Sequence, residues 1–460
     1  MRWFEEGAGV TYHFVGVGGI GMSAIARILR ARNVEVTGSD VAVTPLIEQL
    51  RAEGVRVTIG HEAGNVRGAD VVVVSSAIDR GNPEYVAAVR AGTPVLHRGE
   101  MLARLLSGRR GIAVCGTHGK TTTTAMTHAV LRGGGIDAGL SLGGLDVSLE
   151  TNGYDGTSPW FVTEADESDG SFALLEPNIA IVTNVENDHL TSDDELPGLV
   201  RAFGEFLAKL PDDGLAIVGV DNALAASLTC HELRARLVTC GLAATARIRA
   251  ANVRFEDFGS TFDVFDGDAR VGTVELRVPG AMNVQNALAA LAVGCALDLP
   301  FASIAASLKA FRGVRRRFDI LLSNDRVTIV DDYAHHPTAV RATIEAARHY
   351  HRGTLVVAFQ PHRYTRTAFL AAEFADSLRG ADSVYLTPIY AASEPAIPGV
   401  SERSIGDSLA TNGTRVSYVA SVDDLEARIL AEAPAGALVL MLGAGNITDV
   451  AGRLAAAARG

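Results

Sequence analysis

Short apolar runs of four or five residues alternate with stretches whose apolar positions recur every three or four residues, almost from one end of the chain to the other. The first kind suits strands buried on both faces and the second suits helices with one apolar side. Their alternation is the pattern of an α/β fold built on largely parallel sheets. In the first hundred residues it predicts strands at His13–Val17, Val34–Thr37, Val55–Ile59 and Val71–Val74, with a helix over Met22–Arg30 between the first two. Ser107-Gly-Arg-Arg-Gly111 reads as a linker, after which a second strand–loop–helix unit begins at Ile112–Cys115. The rhythm changes between Arg247 and Val278. There the alternation of Phe262 and Val264, the Asp266-Gly267 pair and then Val271 predict antiparallel hairpins, followed by a helix over Val284–Leu297. A third unit opens near Arg315, with strands at Val327–Val330, Leu355–Ala358, Val384–Leu386 and Leu438–Leu442. The expected division is 1–107, 108–314 and 315–460, consistent with a 460-residue chain that is too long for one core.

Composition narrows the class of partner. With 48% apolar and 20% charged residues the chain is an ordinary globular protein, and no apolar stretch is long enough to span a bilayer. A net charge of −12 without a lysine- or arginine-rich run points away from nucleic acid. The start of the chain carries Glu5 and Glu6 and no apolar signal core. Cys115, Cys230, Cys240 and Cys295 have no metal spacing and are too few for a disulfide framework, so a reduced cytoplasm is expected.

Several clusters carry chemistry. Gly16-Val-Gly18-Gly19-Ile20-Gly21 joins a strand to a helix, with Asp40 ending the next strand. This spacing fits a dinucleotide, another nucleotide diphosphate, or a tight turn that binds nothing. Gly116-Thr117-His118-Gly119-Lys120-Thr121-Thr122 also follows a strand and opens a helix. Backbone amides around phosphate oxygens, a lysine charge and a hydroxyl for Mg²⁺ are the requirements of an ATP loop. The usual spacing would put the first glycine at 114, where Val114 stands, so this is a variant phosphate loop. Acidic clusters follow two strands: Glu164-Ala-Asp166-Glu167-Ser-Asp169, and Asn184-Val-Glu186-Asn-Asp188-His189. Each suits Mg²⁺ at the strand ends where open sheets bind ligands, or a solvated loop. Asn283 and Asn286 cap a helix or read an adenine edge. Of Arg315, Arg316 and Arg317, at least one is expected on the surface. Asp331-Asp332-Tyr333-Ala-His335-His336 lacks the regular spacing of a metal site. Arg363 and Arg366 suit a carboxylate or phosphate clamp, or surface charge.

In this order the motifs resemble the Mur ligases over nearly the whole chain. The likeness rests on the glycine run His13–Met22, the loop 116–122, Glu164–Glu167, Asn187-Asp-His189, Asn283–Asn286, Arg316-Arg-Phe318, Asp331–Pro337 and Phe359–Arg366. Within the family the pattern is that of the enzymes that join L-alanine to UDP-N-acetylmuramate. The resemblance implies a Rossmann-like first domain for the UDP-sugar, a phosphate-loop ATPase domain with an antiparallel insertion, and a Rossmann-like third domain for the amino acid. ATP and Mg²⁺ are the implied cofactors, and a monomer or weak homodimer is expected. Gly18, Gly19, Ile20, Gly21, Ser39, Asp40, His61, Ser75 and Ser76 would then bind the sugar nucleotide. Gly116 to Thr122, Asn283, Asn286, Arg317 and Asp332 would hold ATP. Thr121, Glu164 and His189 would hold metal. Tyr333, His335, Arg363 and Arg366 would line the alanine pocket, and Lys120, Glu164, His189, Arg317, Asp332 and His335 would be catalytic. Two positions depart from the family pattern: Met282 stands where a histidine is usual, and Thr191 where an aspartate is usual. The rival readings are the related ligase that attaches a recycled tripeptide, an NAD(P) oxidoreductase, and a non-catalytic UDP-sugar sensor.

Overall fold

In the computed structural model, which describes residues 9–167, 170–187, 195–410 and 414–459, the strands form three sheets. His189 and Thr191 lie outside the described residues.

The first sheet is parallel and five-stranded, in the spatial order Arg56–Ile59, Glu35–Asp40, Thr11–Val15, Val71–Val74, Val95–His97. The order reverses beside the central Thr11–Val15, and in open sheets such a switch point places a crevice at the strands' carboxyl ends. The first strand stops at Val15, two residues short of the pattern's expectation, because Gly16 turns the chain with φ +76°. Helix Ile20–Ala31 follows and buries Ile25, Ile28 and Leu29 completely or nearly so.

The second sheet holds ten strands. Its parallel middle runs Arg236–Gly241, Leu215–Gly219, Ile179–Val182, Arg110–Cys115, Trp160–Glu164, Gly139–Ser141. One end is extended by the antiparallel meander Ile248–Glu256, Gly259–Asp266, Ala269–Leu276, turning at Gly267 with φ +59°. The hairpins expected from the alternating pattern are therefore present. Arg110 and Gly111, read as linker, already belong to the strand, since Arg110 N donates to the Pro159 carbonyl at 2.8 Å.

The third sheet has six strands, in the order Asp319–Ser323, Val327–Asp332, Ala437–Leu442, Leu355–Phe359, Ser383–Leu386, Arg415–Tyr418. All are parallel except the first pair.

One apolar cluster runs without a break from the first unit into one face of the central sheet, from Ile28 and Leu105 through Phe161 to Phe203 and Phe206. A buried polar knot locks that junction. Asn152, fully buried, donates to the Ile20 carbonyl at 2.6 Å and to Ser23 Oγ at 2.8 Å, and accepts from Arg27 Nη1 at 2.7 Å. Gly153 follows because a Cβ there would strike the backbone of Ala24. No described helix is long and apolar enough to cross a membrane.

Asn152→Ala removes the shortest hydrogen bonds of the buried Arg27 Nη1 and the Ile20 carbonyl, leaving them the longer ones to Thr151 and Ser23, at a cost of about 1–3 kcal/mol. Calorimetric melting should show a correspondingly lower transition. An unchanged melt would mean that the knot contributes nothing to docking.

Candidate active site

Among the described α-helices of the first and central units, three begin with glycine at the cap; two of them, Ile20–Ala31 after Gly19 and Lys120–Gly133 after Gly119, each follow a glycine-rich turn. Glycine has no side chain to occupy the first-turn amides, so both helix ends remain available to an anion. Other helices of the first unit are capped conventionally, by Thr44 and Asn82. Both glycine-capped ends open onto one cleft of about 880 Å³, whose walls come from all three units.

The loop 116–122 is built for close approach. Gly116 and Gly119 have φ +120° and +83°. A Cβ at Gly116 would run into Thr183 Oγ1, and one at Gly119 would sit 2.5 Å from Asn286 Oδ1. The loop is gripped from behind. Asn184 accepts from His118 N at 2.8 Å and donates to its carbonyl at 3.0 Å, while Thr183 Oγ1 donates to that carbonyl at 2.6 Å. Thr117 Oγ1 accepts from Glu186 N at 2.8 Å. Lys120 Nζ donates to the Gly116 carbonyl at 2.6 Å and lies 2.9 and 3.0 Å from the two carboxylate oxygens of Glu167. Burial alone would depress the lysine, but Glu167 and Asp166 outweigh it and the ammonium stays firmly charged.

Beside the loop, Glu164 Oε2 accepts from Thr121 Oγ1 at 3.1 Å, and Arg317 Nη2 reaches the same hydroxyl at 3.2 Å. Burial pushes the Glu164 carboxyl up, against the hydrogen bond from Gly143 and the charges of Arg317 and Lys120. A hydroxyl and a carboxylate at this spacing form an all-oxygen donor set of the kind Mg²⁺ takes, and a cation there would hold Glu164 ionised.

From the third unit, Asp332 accepts from Phe318 N at 2.6 Å and Ala334 N at 2.7 Å. Burial pushes its carboxyl up to about 6, against the charge of Arg317. The aspartate thus shapes the turn that aims Arg317 as well as lying on the cleft. Tyr333 is stacked under both Arg316 and Arg317, each 4.9 Å from its ring centre. Arg315 is the surface member of the arginine run, paired at 3.3 Å with Asp319.

Of the residues singled out from sequence, Gly19, Ile20, Gly21, Ser75, Thr117 to Thr122, Glu164, Asn283, Asn286, Arg317, Asp332, Tyr333 and His335 all line this cleft. Gly18, Ser39, Asp40, His61, Ser76, Gly116, Arg363 and Arg366 stand outside its wall. Gly18 N donates to Asp40 Oδ2 at 2.8 Å, so the aspartate grips the glycine turn itself. Asn283 lies inside its helix rather than at the cap: it donates to the Pro279 carbonyl at 2.7 Å and accepts from Asn286 at 3.1 Å. Asn286 in turn accepts from Thr123 at 3.0 Å, which ties the pair to the phosphate-loop helix. Arg366 is buried and Arg363 half exposed, 3.9 Å from Glu394. Arg363 N donates to the Tyr390 carbonyl at 2.8 Å, and a chain of rings leads from Tyr390 to the cleft: Tyr390 stacked on His362 at 5.6 Å, His362 to His335 at 5.6 Å, and His335 to Tyr333 at 4.9 Å.

Sequence reasoning passed over Arg98 and Glu84. Arg98 joins the cleft wall next to Gly21 and lies 3.6 Å from Asp166. Glu84, with no exposed surface, accepts from Ser39 Oγ at 2.6 Å and Asn65 Nδ2 at 2.5 Å, and lies 3.4 Å from His13 Nε2 and 3.5 Å from His61 Nδ1. Its only signal was Asn82-Pro83, a helix start, which marks a cap and not a buried acid.

Sequence profiles of the Mur ligase family match end to end: the catalytic domain over residues 11–110, the middle domain over 114–294 and the glutamate ligase domain over 316–445. The chain belongs to the Mur ligase family and is a ligase. Among its relatives, the UDP-N-acetylmuramate–L-alanine ligase of Acidithiobacillus ferrooxidans is 45% identical over 445 residues, covering 95% of this chain and 96% of that protein. The ligase of the same name from Geotalea uraniireducens is 43% identical over 439 residues, with 95% and 96% covered. Among solved structures, UDP-N-acetylmuramate-alanine ligase MurC of Thermotoga maritima superposes with a TM-score of 0.83 at 30% identity, covering 98% of this chain and 99% of that one. A murein peptide ligase of Psychrobacter arcticus gives 0.73 at 26% identity, with 98% of each chain covered.

Burial would raise the Glu84 carboxyl, but hydrogen bonds from His13, Ser39 and Asn65 overcome it and hold it at about 2, against 4.5 for the free side chain. A depressed acid stabilises the fold above its unfolded value and loses that contribution as pH falls from 4.5 through about 2. Glu84→Gln should therefore be less stable than the parent by about 3 kcal/mol at pH 7, with the gap narrowing below pH 4.5. A pH-independent gap in thermal melts would disprove the ionic part of this network.

Proposed function

We propose that the chain uses ATP and Mg²⁺ to join L-alanine to the lactyl carboxylate of UDP-N-acetylmuramate, giving UDP-N-acetylmuramoyl-L-alanine, ADP and phosphate. The observation that carries this reading is the single cleft in which two glycine-capped helix ends, from different sheets, face a third unit bearing Arg317 and Asp332. One end suits the nucleotide that is consumed and the other the sugar nucleotide that is kept. The 42–45% identity to alanine ligases, and among solved structures a TM-score of 0.83 at 30% identity to an alanine ligase against 0.73 at 26% to the murein peptide ligase, favour alanine over a recycled peptide. Acid groups facing Lys120 favour phosphoryl chemistry over nicotinamide binding.

A carboxylate does not react with an amine at neutral pH, because its carbonyl is weakly electrophilic. In the proposed reaction the muramate carboxylate attacks the γ-phosphoryl group and becomes an acyl phosphate; the alanine amine then attacks the acyl carbon and phosphate leaves. Two anions meet in the first step, so Lys120 and Arg317 are assigned to offset their repulsion and the charge that spreads in the transition state. Thr121 and Glu164 are assigned to hold Mg²⁺, which would neutralise phosphate charge when bound. Asn283 and Asn286 are assigned to adenine, and Arg98 to the diphosphate of the sugar nucleotide, since it adjoins the Gly19 helix end. Tyr333, His335, Arg363 and Arg366 are assigned to the amino acid. The four cysteines are free thiols, two of them buried, which supports a reducing cytoplasm.

Phosphate release with ATP, Mg²⁺ and UDP-N-acetylmuramate should depend on alanine and not on tripeptide. Lys120→Ala should abolish it while calorimetry still registers sugar-nucleotide binding, because the two helix ends belong to different sheets. Tripeptide-dependent release would replace this reading with that of the peptide ligase.

A planar guanidinium matches a carboxylate in a bidentate fork. Losing one partner of such a pair typically costs about 2–5 kcal/mol. Arg366→Ala, at the buried position, should then raise the KM for alanine by roughly thirty-fold or more, with Arg363→Ala weaker and the KM for ATP nearly unmoved. Alaninamide should be a poor acceptor. If it reacts like alanine, the arginines do not read the carboxylate.

A further inference from the structure

Three donors outside the Thr121–Glu164 pair converge between the central and third units. His118 belongs to the phosphate loop, Glu186 to the segment after strand Ile179–Val182, and His336 to the residue capping helix Pro337–Tyr350. One ligand atom from each lies within 4.8 Å of the others. His118 Nε2 stands 3.6 Å from Glu186 Oε2, and the two imidazole rings are 5.3 Å apart and tilted by 36°.

A tetrahedral ion bound at the usual zinc–ligand lengths keeps its donors roughly 3.3 Å apart, so these side chains need only small rotamer adjustments to enclose one. Two of the three are held for it. The main chain of His118 is fixed by Asn184 and Thr183, and that of Glu186 by Thr117. Thr338 Oγ1 donates to Glu186 Oε2 at 2.7 Å, the kind of outer contact that orients a ligating carboxylate. His118 Nε2 is buried and makes no hydrogen bond within normal reach, which for a buried ring nitrogen calls for an explanation.

We infer that His118, Glu186 and His336 form a second metal site, selective for a borderline divalent ion such as Zn²⁺ and distinct in every residue from the Thr121–Glu164 pair. Two imidazoles and one carboxylate suit Zn²⁺; Mg²⁺ prefers oxygen alone. Two ligands come from the central unit and one from the third. A bound ion therefore staples the third unit to the phosphate loop and slows any step that requires them to part.

The test uses the whole chain, stripped by chelator. Titration with Zn²⁺ by calorimetry should give one site per chain with a Kd of about 10 µM or tighter. Co²⁺ should produce the visible absorption of a low-coordinate site. His336→Asn and Glu186→Gln should each weaken binding at least about tenfold, since even an outer-shell partner is worth that much. Glu164→Gln should leave it unchanged. If His336→Asn does not fold, as judged by circular dichroism, Glu186→Gln carries the reading alone. Absence of binding in this range, parental affinity in the folded variants, or loss with Glu164→Gln instead would overturn the proposal.

Discussion

A phosphate loop must turn its amide groups outward, which leaves its own backbone poorly satisfied, so something behind it has to take up the strain. In this molecule that partner is Asn184, whose amide both accepts from His118 N and donates to its carbonyl. Thr183 and Thr117 complete the brace. The sheet register makes this possible. Ile179–Val182 pairs in parallel with Ile112–Cys115, so the loops leaving both strands emerge side by side at the same edge. With the loop fixed, Gly119 can approach Asn286, Thr123 can bond to the same amide, and Lys120 is held over Glu167. Each further feature of the cleft is positioned relative to that brace.

The three units are joined by different physics. First and central units share one continuous apolar cluster and the buried Asn152–Arg27 knot, so they form a single block. The third unit keeps its own clusters, to which the central unit contributes only partly buried groups such as Phe258 and Met282. Across the cleft it is held by polar contacts, Arg317 to Thr121 and Thr338 to Glu186. Polar contacts exchange readily for water, whereas an apolar junction does not. The third unit's junction is therefore the weaker one, and the proposed acyl phosphate would need that junction shut against water.

Buried acids are the electrostatic signature of the cleft. Glu164, Glu167 and Asp332 are all pushed upward by burial, and each is answered by a nearby cation, Lys120 or Arg317. Such groups are poor contributors to stability and good receptors for a metal or a cationic transition-state partner. Met282, in the place of a usual histidine, packs among apolar side chains of the third unit's cluster and lines the cleft, so no histidine stands beside the Asn283–Asn286 pair at that position.

What the chain determined by itself is local. Apolar runs and three-to-four-residue periodicities marked many of the strands and the helix after the first glycine turn, because burial imposes such patterns directly on apolar residues, but strands Leu215–Gly219 and Arg236–Gly241 and helix Pro337–Tyr350 were not picked out. Glycine spacing marked the turns before both glycine-capped helices for the same local reason: only glycine takes the positive φ of Gly16, Gly116 and Gly119 without strain. Fine boundaries escaped, as at Arg110 and Gly111, where a hydrogen bond from the neighbouring strand decides membership. Tertiary structure alone decided which polar residues meet. Glu84 lies 45 residues from Ser39, and Glu186 lies 152 from Thr338; no local pattern encodes such pairs. It also decided that Asp40 grips the glycine turn, that Arg98 faces the cleft, and that Arg363 and Arg366 stand off its wall. The reason is physical. Periodicity reports how much water a residue loses on folding, whereas the partner it gains depends on how three sheets are set against one another.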